Sequence, residues 1–244
     1  MQPVLCVRHE ASDTLGVAPE ALEDAGVRPV VADAWTLGSW PDPREFAAVA
    51  VFGGSMNADD MDSHPYLRPE RAFLRQALDE GVPVLGICLG AQVLARVLGV
   101  SVGRAPQREL GFRRIEFTEA GRQEPLLQPF NQDPEAGLTF QWHEDTFALP
   151  PGATLLATGQ NGLVQAYRVG SALAVQFHPE VTADEVDAWL DEVGDDRVEA
   201  VWETSRRALH AEFVMHMAAH NERGRALFRR FARSLRASPY ARQA

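Results

Sequence analysis

The stretch Val84–Val93, VLGICLGAQV, joins a strand pattern to a helix pattern and contains the most informative residue of the chain. The apolar run VPVLGIC that enters it is typical of a strand buried on both faces of a parallel sheet. The segment that leaves it, LGAQVLARVLG, places Ala91, Leu94 and Leu98 on one side of a helix. Cys88 therefore lies between two glycines where a strand turns sharply into a helix.

The first hundred residues alternate between strand and helix patterns. Strands are predicted at PVLCVRH, RPVVADAW and FAAVAVFGG, and helices around residues 20–25 and 69–81. After residue 100 five short apolar segments follow one another with little helix between them, which indicates hairpins that extend the sheet. The alternation predicts an α/β fold with an open, mixed, mainly parallel sheet and helices on both faces.

The last sixty residues have a helical pattern. TADE, at residues 182–185, matches a capping box in which the threonine and glutamate side chains bind each other's backbone amides. Two further helices are predicted, at about residues 197–220 and 223–235. We therefore divide the chain into a domain of residues 1–181 and a helical extension of residues 182–244. The polar segment 118–137 is expected to be a surface loop.

Composition narrows the classes of function. The chain has 244 residues, two cysteines and a formal net charge of -11, which is unlike most nucleic-acid-binding proteins. No apolar run approaches the ~20 residues that cross a bilayer, and the N-terminus does not resemble a signal peptide. We expect a cytoplasmic protein with no membrane or nucleic-acid partner, no disulfide, no metal and no cofactor.

Cys88 has the surroundings of a nucleophile. A strained strand-to-helix turn needs small neighbours, and the N-terminus of the following helix favours thiolate over thiol. A free cysteine is also a common buried apolar residue, so this stretch alone leaves both interpretations open.

A base for this thiol is predicted in VQFHPE, residues 175–180. His178 follows an apolar strand, so it lies at a strand end, where sheets of this type place their sites. Pro179 turns the chain, and Glu180 can then reach back to the imidazole. This predicts Cys88 as nucleophile, His178 as general base and acid, and Glu180 as the group that orients His178. A His-Pro-Glu sequence alone is equally compatible with a surface turn.

Two backbone amides can serve as an oxyanion hole. Gly53 and Gly54 end another buried strand, and attack on a carboxamide needs two donors aimed at the developing oxyanion. The amides of Gly54 and of Leu89, which follows the nucleophile, are the candidates, although a glycine pair is often an ordinary loop.

The segments GICLGAQ, FGGSM, QWHED and QFHPE, in this order, resemble the class I glutamine amidotransferases. The likeness extends over about residues 4–181, and its nearest subgroup is that of stand-alone proteins similar to the glutaminase domain of GMP synthase. The resemblance implies a flavodoxin-like sheet and hydrolysis of the glutamine side-chain amide through a γ-glutamyl thioester.

The resemblance also assigns residues. It implies a triad of Cys88, His178 and Glu180, and an oxyanion hole of Gly54 and Leu89. It further implies that a set of residues surrounds the substrate: Gly53, Gln92, Trp142, His143 and Glu144.

The sequence departs from the family in two ways. Ser55 stands where many relatives have a proline, which predicts a less restrained loop around Gly54 and a low basal rate. The residues after 181 have helical patterns and do not resemble an ATP-pyrophosphatase domain, so we expect no GMP synthase activity and a separate synthetase or acceptor protein.

Three functions remain open. The first is a glutamine amidase that passes ammonia to a partner, and the second is a γ-glutamyl peptide hydrolase with the same triad. The third is a non-enzymatic regulatory subunit, which the complete Cys-His-Glu set disfavours. Five aromatic residues of the extension are expected to pack in a core or to form a homo-oligomer contact: Trp189, Trp202, Phe213, Phe228 and Phe231.

The remaining polar features are expected to be structural. His210, His216 and His220 lack a metal-binding pattern and are predicted to be solvated on a helix face. The arginines of residues 222–242 are expected to be solvated or to pair with the acidic body.

Overall fold

The computed structural model describes residues 2–132, 137–160 and 162–236, and these form one nine-stranded sheet with helices on both faces. The strands are β1 (Val4–Arg8), β2 (Pro29–Asp33), β3 (Ala48–Val51), β4 (Val84–Ile87), β5 (Val102–Phe117), β6 (Leu138–Phe147), β7 (Thr154–Gly159), β8 (Val164–Val169) and β9 (Ala172–Val175). The helices are α1 (Ala18–Asp24), α2 (Leu67–Asp79), α3 (Leu89–Val97), α4 (Glu119–Gln123), α5 (Ala183–Val193), α6 (Asp195–Trp202) and α7 (Arg206–Leu235).

The sheet has a parallel half and an antiparallel half. Its strand order is β2-β1-β3-β4-β9-β8-β7-β5-β6. The first five strands in this order pair in parallel, and the last four are joined by antiparallel pairing. The predicted mainly parallel α/β sheet, extended by hairpins after residue 100, is confirmed. The parallel strands β1, β3, β4 and β9 end at one edge, so the segments that follow them meet there.

Both faces of the parallel half are covered, because successive side chains of a strand point to opposite faces. In β4, Leu85 and Ile87 join the core beneath α1 and α7, whereas Val84 joins the core beneath α2 and α3. This explains the nearly continuous apolar pattern of the central strands.

A third core joins the C-terminal helices to the antiparallel half. Leu110 and Phe112 of β5 and Phe140 of β6 pack against apolar residues of α5, α6 and α7. The C-terminal half of α7 enters the core beneath α1 instead. One helix thus spans two cores.

The prediction of two helices, at residues 197–220 and 223–235, is wrong, because α6 ends at Trp202 and α7 is one helix of 30 residues. A glycine inside a helix usually weakens it by ~1 kcal/mol. Gly224 lies inside α7, where a Cβ atom would come within 1.9 Å of the Pro179 carbonyl oxygen. The close approach of helix and turn therefore requires glycine, and the helix continues through it.

Two local predictions need correction. In the capping box, Thr182 accepts from the Glu185 amide as expected, but the Glu185 carboxylate binds the amide and hydroxyl of Thr14, each at 2.7 Å. Segment 118–137 is not simply a surface loop, since it contains α4 and buries Leu127 and Phe130. Residues 133–136 of that segment lie outside the described residues.

Candidate active site

Cys88 occupies a strained turn between β4 and α3. Its φ is 51° and its ψ is -108°, a conformation that costs a residue with a side chain ~1–3 kcal/mol. Gly86 and Gly90, two residues before and after Cys88, lie where a Cβ atom would collide with neighbouring atoms. A Cβ on Gly90 would lie 2.2 Å from the Val51 carbonyl oxygen, and one on Gly86 would lie 2.6 Å from a Leu94 methyl.

The two cysteines differ in accessibility and environment. The Sγ atom of Cys88 accepts a hydrogen bond from Gln176 at 3.6 Å, and Cys88 borders the cavities described below. Cys6 lies inside β1 and is fully buried. Burial, with a smaller effect from Asp13, raises the pKa of the Cys6 thiol to about 12. Cys6 is therefore protonated and unreactive at neutral pH.

The His178 side chain contacts both Cys88 and Glu180. The Nδ1 atom of His178 is 2.7 Å from a Glu180 oxygen, and both side chains are buried. Burial alone would lower the pKa of His178, but the negative charges and hydrogen bonds of Cys88 and Glu180 outweigh it and raise this pKa well above its usual value. This electrostatic balance favours the charged imidazolium form of His178.

Helix α7 holds the turn that carries His178. The His220 Nε2 donates to the His178 carbonyl oxygen at 2.7 Å, and Asn221 donates to the Val181 carbonyl oxygen at 2.6 Å. His220 is fully buried, and burial lowers its pKa to about 4, so it is neutral. The prediction of a solvated helix-face histidine is therefore wrong for His220, because distant aromatic residues cover it.

Two more buried carboxyl groups surround Glu180. Asp13 and Glu185 are 3% and 2% exposed. Burial, and then the charges of Glu185 and Glu180, raise the pKa of Asp13 to about 8. Asp13 is thus mostly protonated at neutral pH, which limits the negative charge behind the His178–Glu180 pair.

The Gly53–Gly54 loop approaches both His178 and Cys88. A Cβ on Gly53 would lie 2.9 Å from His178 Cε1, so only glycine fits there. In place of a proline, hydrogen bonds hold Ser55, the residue that follows the glycine pair. The amide and hydroxyl of Ser55 both donate to Glu10, at 3.0 and 2.5 Å. A proline at this position would have no N–H for the first of these bonds.

Four of the predicted substrate residues, Gln92, Trp142, His143 and Glu144, line a cavity of about 490 Å³ beside Cys88, and a smaller cavity of about 100 Å³ borders Cys88 and His178. Gly53 lines neither of these two cavities. The side chain of Gln92 points to β6 and donates to the Asp145 carbonyl oxygen at 3.4 Å. His143 lies 3.0 Å from a Glu109 oxygen. Glu144 faces three arginines, namely Arg104, Arg108 and Arg197.

Trp142 connects this cavity with the C-terminal helices. Its ring packs edge to face against Trp189 at 5.8 Å and Trp202 at 5.9 Å. Trp189 also packs against the His178 ring at 5.4 Å. Trp189 and Trp202 are thus more than packing residues, because Trp189 lines the smaller cavity and Trp202 the larger one. The predicted helical extension therefore forms one wall of the candidate site.

Sequence reasoning missed several residues at the site. His9 and Glu10 follow β1 at the same edge of the sheet, and Asp13 and Glu192 line the smaller cavity. The rule that located His178, a polar residue just after a parallel strand, would also have found His9 and Glu10. Asp13 and Glu192 carry no such signal, because loop and helix packing bring them to the cavity.

No group of three or more histidine, cysteine, aspartate or glutamate side chains is arranged to hold a metal ion in the ranges that the structure describes. None of the helices within those ranges is long and apolar enough to cross a membrane. Several of the C-terminal arginines within them form intramolecular contacts, such as that of Arg229 with Asp24 at 2.8 Å.

Known proteins resemble this chain in sequence and in fold. The glutamine amidotransferase-like protein YfeJ of Salmonella typhimurium is 30% identical over 198 residues, which are 75% of this chain and 78% of that protein. The glutamine-hydrolysing GMP synthase of Burkholderia vietnamiensis is 35% identical over 144 residues, which are 57% of this chain but only 26% of that enzyme.

The solved structure of a glutamine amidotransferase from Thermotoga maritima superposes with a TM-score of 0.80 and 28% identity, covering 95% of this chain and 99% of that one. A family model, glutamine amidotransferase class-I, matches residues 28–191, which are more than half of the sequence. The chain therefore belongs to the class-I glutamine amidotransferase family.

Proposed function

We propose that this protein hydrolyses the side-chain amide of glutamine through a γ-glutamyl thioester on Cys88. The observation that carries the proposal is the arrangement of Cys88, His178 and Glu180 at the carboxyl edge of the sheet. The Nδ1 of His178 is bound to Glu180, which leaves Nε2 as the nitrogen that can exchange a proton with the thiol or the substrate. Membership of a family with cysteine nucleophiles supports the same chemistry.

The first half-reaction transfers the glutamyl group to sulfur. The Cys88 thiolate attacks the amide carbon, and the carbonyl oxygen becomes an oxyanion that the Gly54 and Leu89 amides stabilise. Leu89 is the first residue of α3, where an N–H has no partner within its own helix. The intermediate collapses as His178 gives a proton to the leaving nitrogen, and ammonia departs.

The second half-reaction releases glutamate. His178, now neutral, takes a proton from a water molecule that attacks the thioester carbon, and a second oxyanion forms at the same two amides. Collapse of this intermediate breaks the carbon–sulfur bond and restores the thiolate beside imidazolium. Glu180 keeps the proton of Nδ1 in place throughout and stabilises the positive charge of the ring.

An ammonia assay tests the proposal. The purified full chain is incubated with glutamine labelled with ¹⁵N in its amide, and free labelled ammonia is measured over time. We expect turnover by the wild type and by Cys6→Ser, but none by Cys88→Ser. Turnover by Cys88→Ser equal to that of the wild type would contradict the assignment of the nucleophile.

A γ-glutamyl compound larger than glutamine is the second candidate substrate. The cavity of about 490 Å³ supports it, because its wall continues past Cys88 to Arg197 and Trp202 of the C-terminal helices. The same thioester would form with an amine or amino acid as the leaving group. Measuring kcat/KM for glutamine and for a panel of γ-glutamyl dipeptides distinguishes the two candidate substrates. A kcat/KM that is 10-fold or more higher for a dipeptide would show that glutamine is not the preferred substrate.

We further propose that ammonia is delivered to a separate synthetase or acceptor protein. The match to GMP synthase covers 26% of that enzyme, which supports the view that this chain corresponds to only one of its activities. Stimulation of the ammonia assay by a candidate acceptor would support delivery. If the protein turns over neither glutamine nor any of the dipeptides, alone or with a candidate acceptor, the regulatory alternative is favoured.

A further inference from the structure

We propose that His9 and Glu70 are positioning residues that set the direction of the Gly54 amide in the oxyanion hole. The inference rests on the proposed function. It concerns residues on two other elements: His9 directly after β1 and Glu70 in the first turn of α2.

The two side chains form a buried pair beneath the oxyanion loop. Nε2 of His9 lies 3.0 and 3.1 Å from the two carboxylate oxygens of Glu70. Nδ1 of His9 lies 2.8 Å from the carbonyl oxygen of Gly53. Neither side chain is exposed to solvent. The pair thus connects α2 with the backbone of the loop.

The hydrogen-bond partners define the protonation of His9. A carbonyl oxygen can only accept, so Nδ1 carries a proton, and Nε2 also faces acceptors when Glu70 is ionised. Burial alone would lower the pKa of His9, but the charge and hydrogen bond of Glu70 and the Gly53 carbonyl together raise it. His9 therefore donates from both nitrogens and holds the Gly53 carbonyl with a charge-assisted bond.

The geometry of a peptide unit transmits this restraint to Gly54. The Gly53 carbonyl and the Gly54 N–H belong to one trans peptide, in which the two groups point in opposite directions. A carbonyl directed at His9 therefore directs the Gly54 N–H away from His9. Gly54 lies in the wall of the cavity that contains Cys88 and His178. Among the described residues this N–H has no acceptor, so it is available to an oxyanion.

A glycine pair needs such an external restraint, because neither residue has a side chain that limits its φ and ψ. Rotation of the Gly53–Gly54 peptide would break the bond to His9 and leave a buried, charged donor without a partner. A hydrogen bond to a charged group favours this orientation of the peptide over the rotated one by roughly ten- to a hundredfold. His9 and Glu70 thus replace the restraint that a proline after the glycines would supply.

Two double variants separate positioning from packing. His9→Leu/Glu70→Met removes the donor together with both buried charges, a replacement that often leaves stability unchanged. His9→Asn/Glu70→Gln keeps a side-chain donor near the Gly53 carbonyl and also removes the charges. Arg168→Met/Glu124→Gln is a matched control, because it removes a partly buried ion pair that lines neither cavity.

We expect His9→Leu/Glu70→Met to lower kcat for glutamine by ~10²–10³-fold, the usual effect of losing one oxyanion donor, with little change in KM. His9→Asn/Glu70→Gln should recover most of kcat, and the control pair should leave kcat at the wild-type value. Alkylation of Cys88 by iodoacetamide needs no oxyanion hole, so its rate should be the same in all four proteins.

Several results would overturn the inference. Equal kcat in the two double variants would do so, as would a parallel loss of kcat and alkylation rate, which indicates general damage to the site. A crystal structure of His9→Leu/Glu70→Met provides a test that does not depend on turnover. There we expect the Gly53 carbonyl to turn away from position 9. An unmoved peptide would refute the inference, whereas absence of wild-type turnover refutes only the proposed function.

Discussion

Gly224→Ala tests whether the contact between α7 and the His178 turn controls the site. The added Cβ would lie 1.9 Å from the Pro179 carbonyl oxygen, whereas ordinary contacts begin near 3.4 Å. Helix and turn must therefore separate by about 1.5 Å, the difference between these distances. The His220–His178 hydrogen bond of 2.7 Å would then exceed the length of a hydrogen bond.

The expected effects on stability and activity differ in size. Overpacking costs ~1–3 kcal/mol, and alanine in place of a helical glycine returns ~1 kcal/mol, so the free energy of unfolding should fall by ~0–2 kcal/mol. The catalytic effect should be larger. A displacement of ~1 Å can cost ~10²-fold in rate, and we expect kcat to fall by at least this factor while KM changes little.

The assay combines urea unfolding with the ammonia assay. Val214→Ala is the control on the same helix, because Val214 is 89% exposed. It should change the free energy of unfolding by less than ~0.5 kcal/mol and leave kcat unchanged. If Gly224→Ala does not fold, His220→Leu tests the same contact, since it removes the donor to His178 without adding bulk to the turn. A folded Gly224→Ala protein with wild-type kcat would refute the reasoning.

Three other predictions follow from the site. Asp13 has a folded pKa of about 8 and an ordinary value of 3.8, so the wild type should lose stability as pH rises from about 4 to 8, by up to ~1.4 kcal/mol per pH unit. Asp13→Asn cannot ionise, so its free energy of unfolding relative to that of the wild type should increase from pH 6 to pH 8, as measured by urea unfolding. If the free energies of unfolding of the two proteins depend equally on pH, Asp13 does not titrate in this range. Iodoacetamide at pH 7.5 should label Cys88 and leave Cys6 unmodified in peptide mass mapping, and a label on Cys6 would contradict its burial. Ser55→Pro should not raise the basal kcat, because His9 and Glu10 already restrain the loop; a 10-fold increase in the ammonia assay would show that the loop is free in the wild type.

Local sequence patterns were sufficient for the parallel half of the fold. Apolar runs with glycine at their ends predicted β3 and β4, and the small residues on both sides of Cys88 predicted the turn between β4 and α3. These features depend on neighbours within a few residues, since periodicity, turn geometry and backbone crowding are local properties. Parallel pairing then brings the ends of those strands to one edge of the sheet, which is why separate segments could be expected to meet.

Local sequence patterns did not predict the contacts between distant segments. The sequence of α7 predicted a break near residue 221 and solvated histidines, but Gly224 fits against Pro179 and His220 is covered by aromatic residues of other elements. A histidine on a helix has the same local pattern whether its face meets water or another layer of the protein. Only the packing of α7 decides that His220 is neutral and bound to the His178 backbone.

Local sequence was enough to predict the strand–turn–helix unit around Cys88 and the separate turns that carry Gly54 and His178. Their surroundings depend on long-range packing, which places His9 and Glu70, 61 residues apart, under the oxyanion loop and makes the C-terminal helices one wall of the cavity. The difference lies in the distance along the chain over which each property is set. Backbone conformation follows from neighbouring residues, whereas burial, pKa and hydrogen-bond partners depend on which distant surfaces the folded core brings into contact.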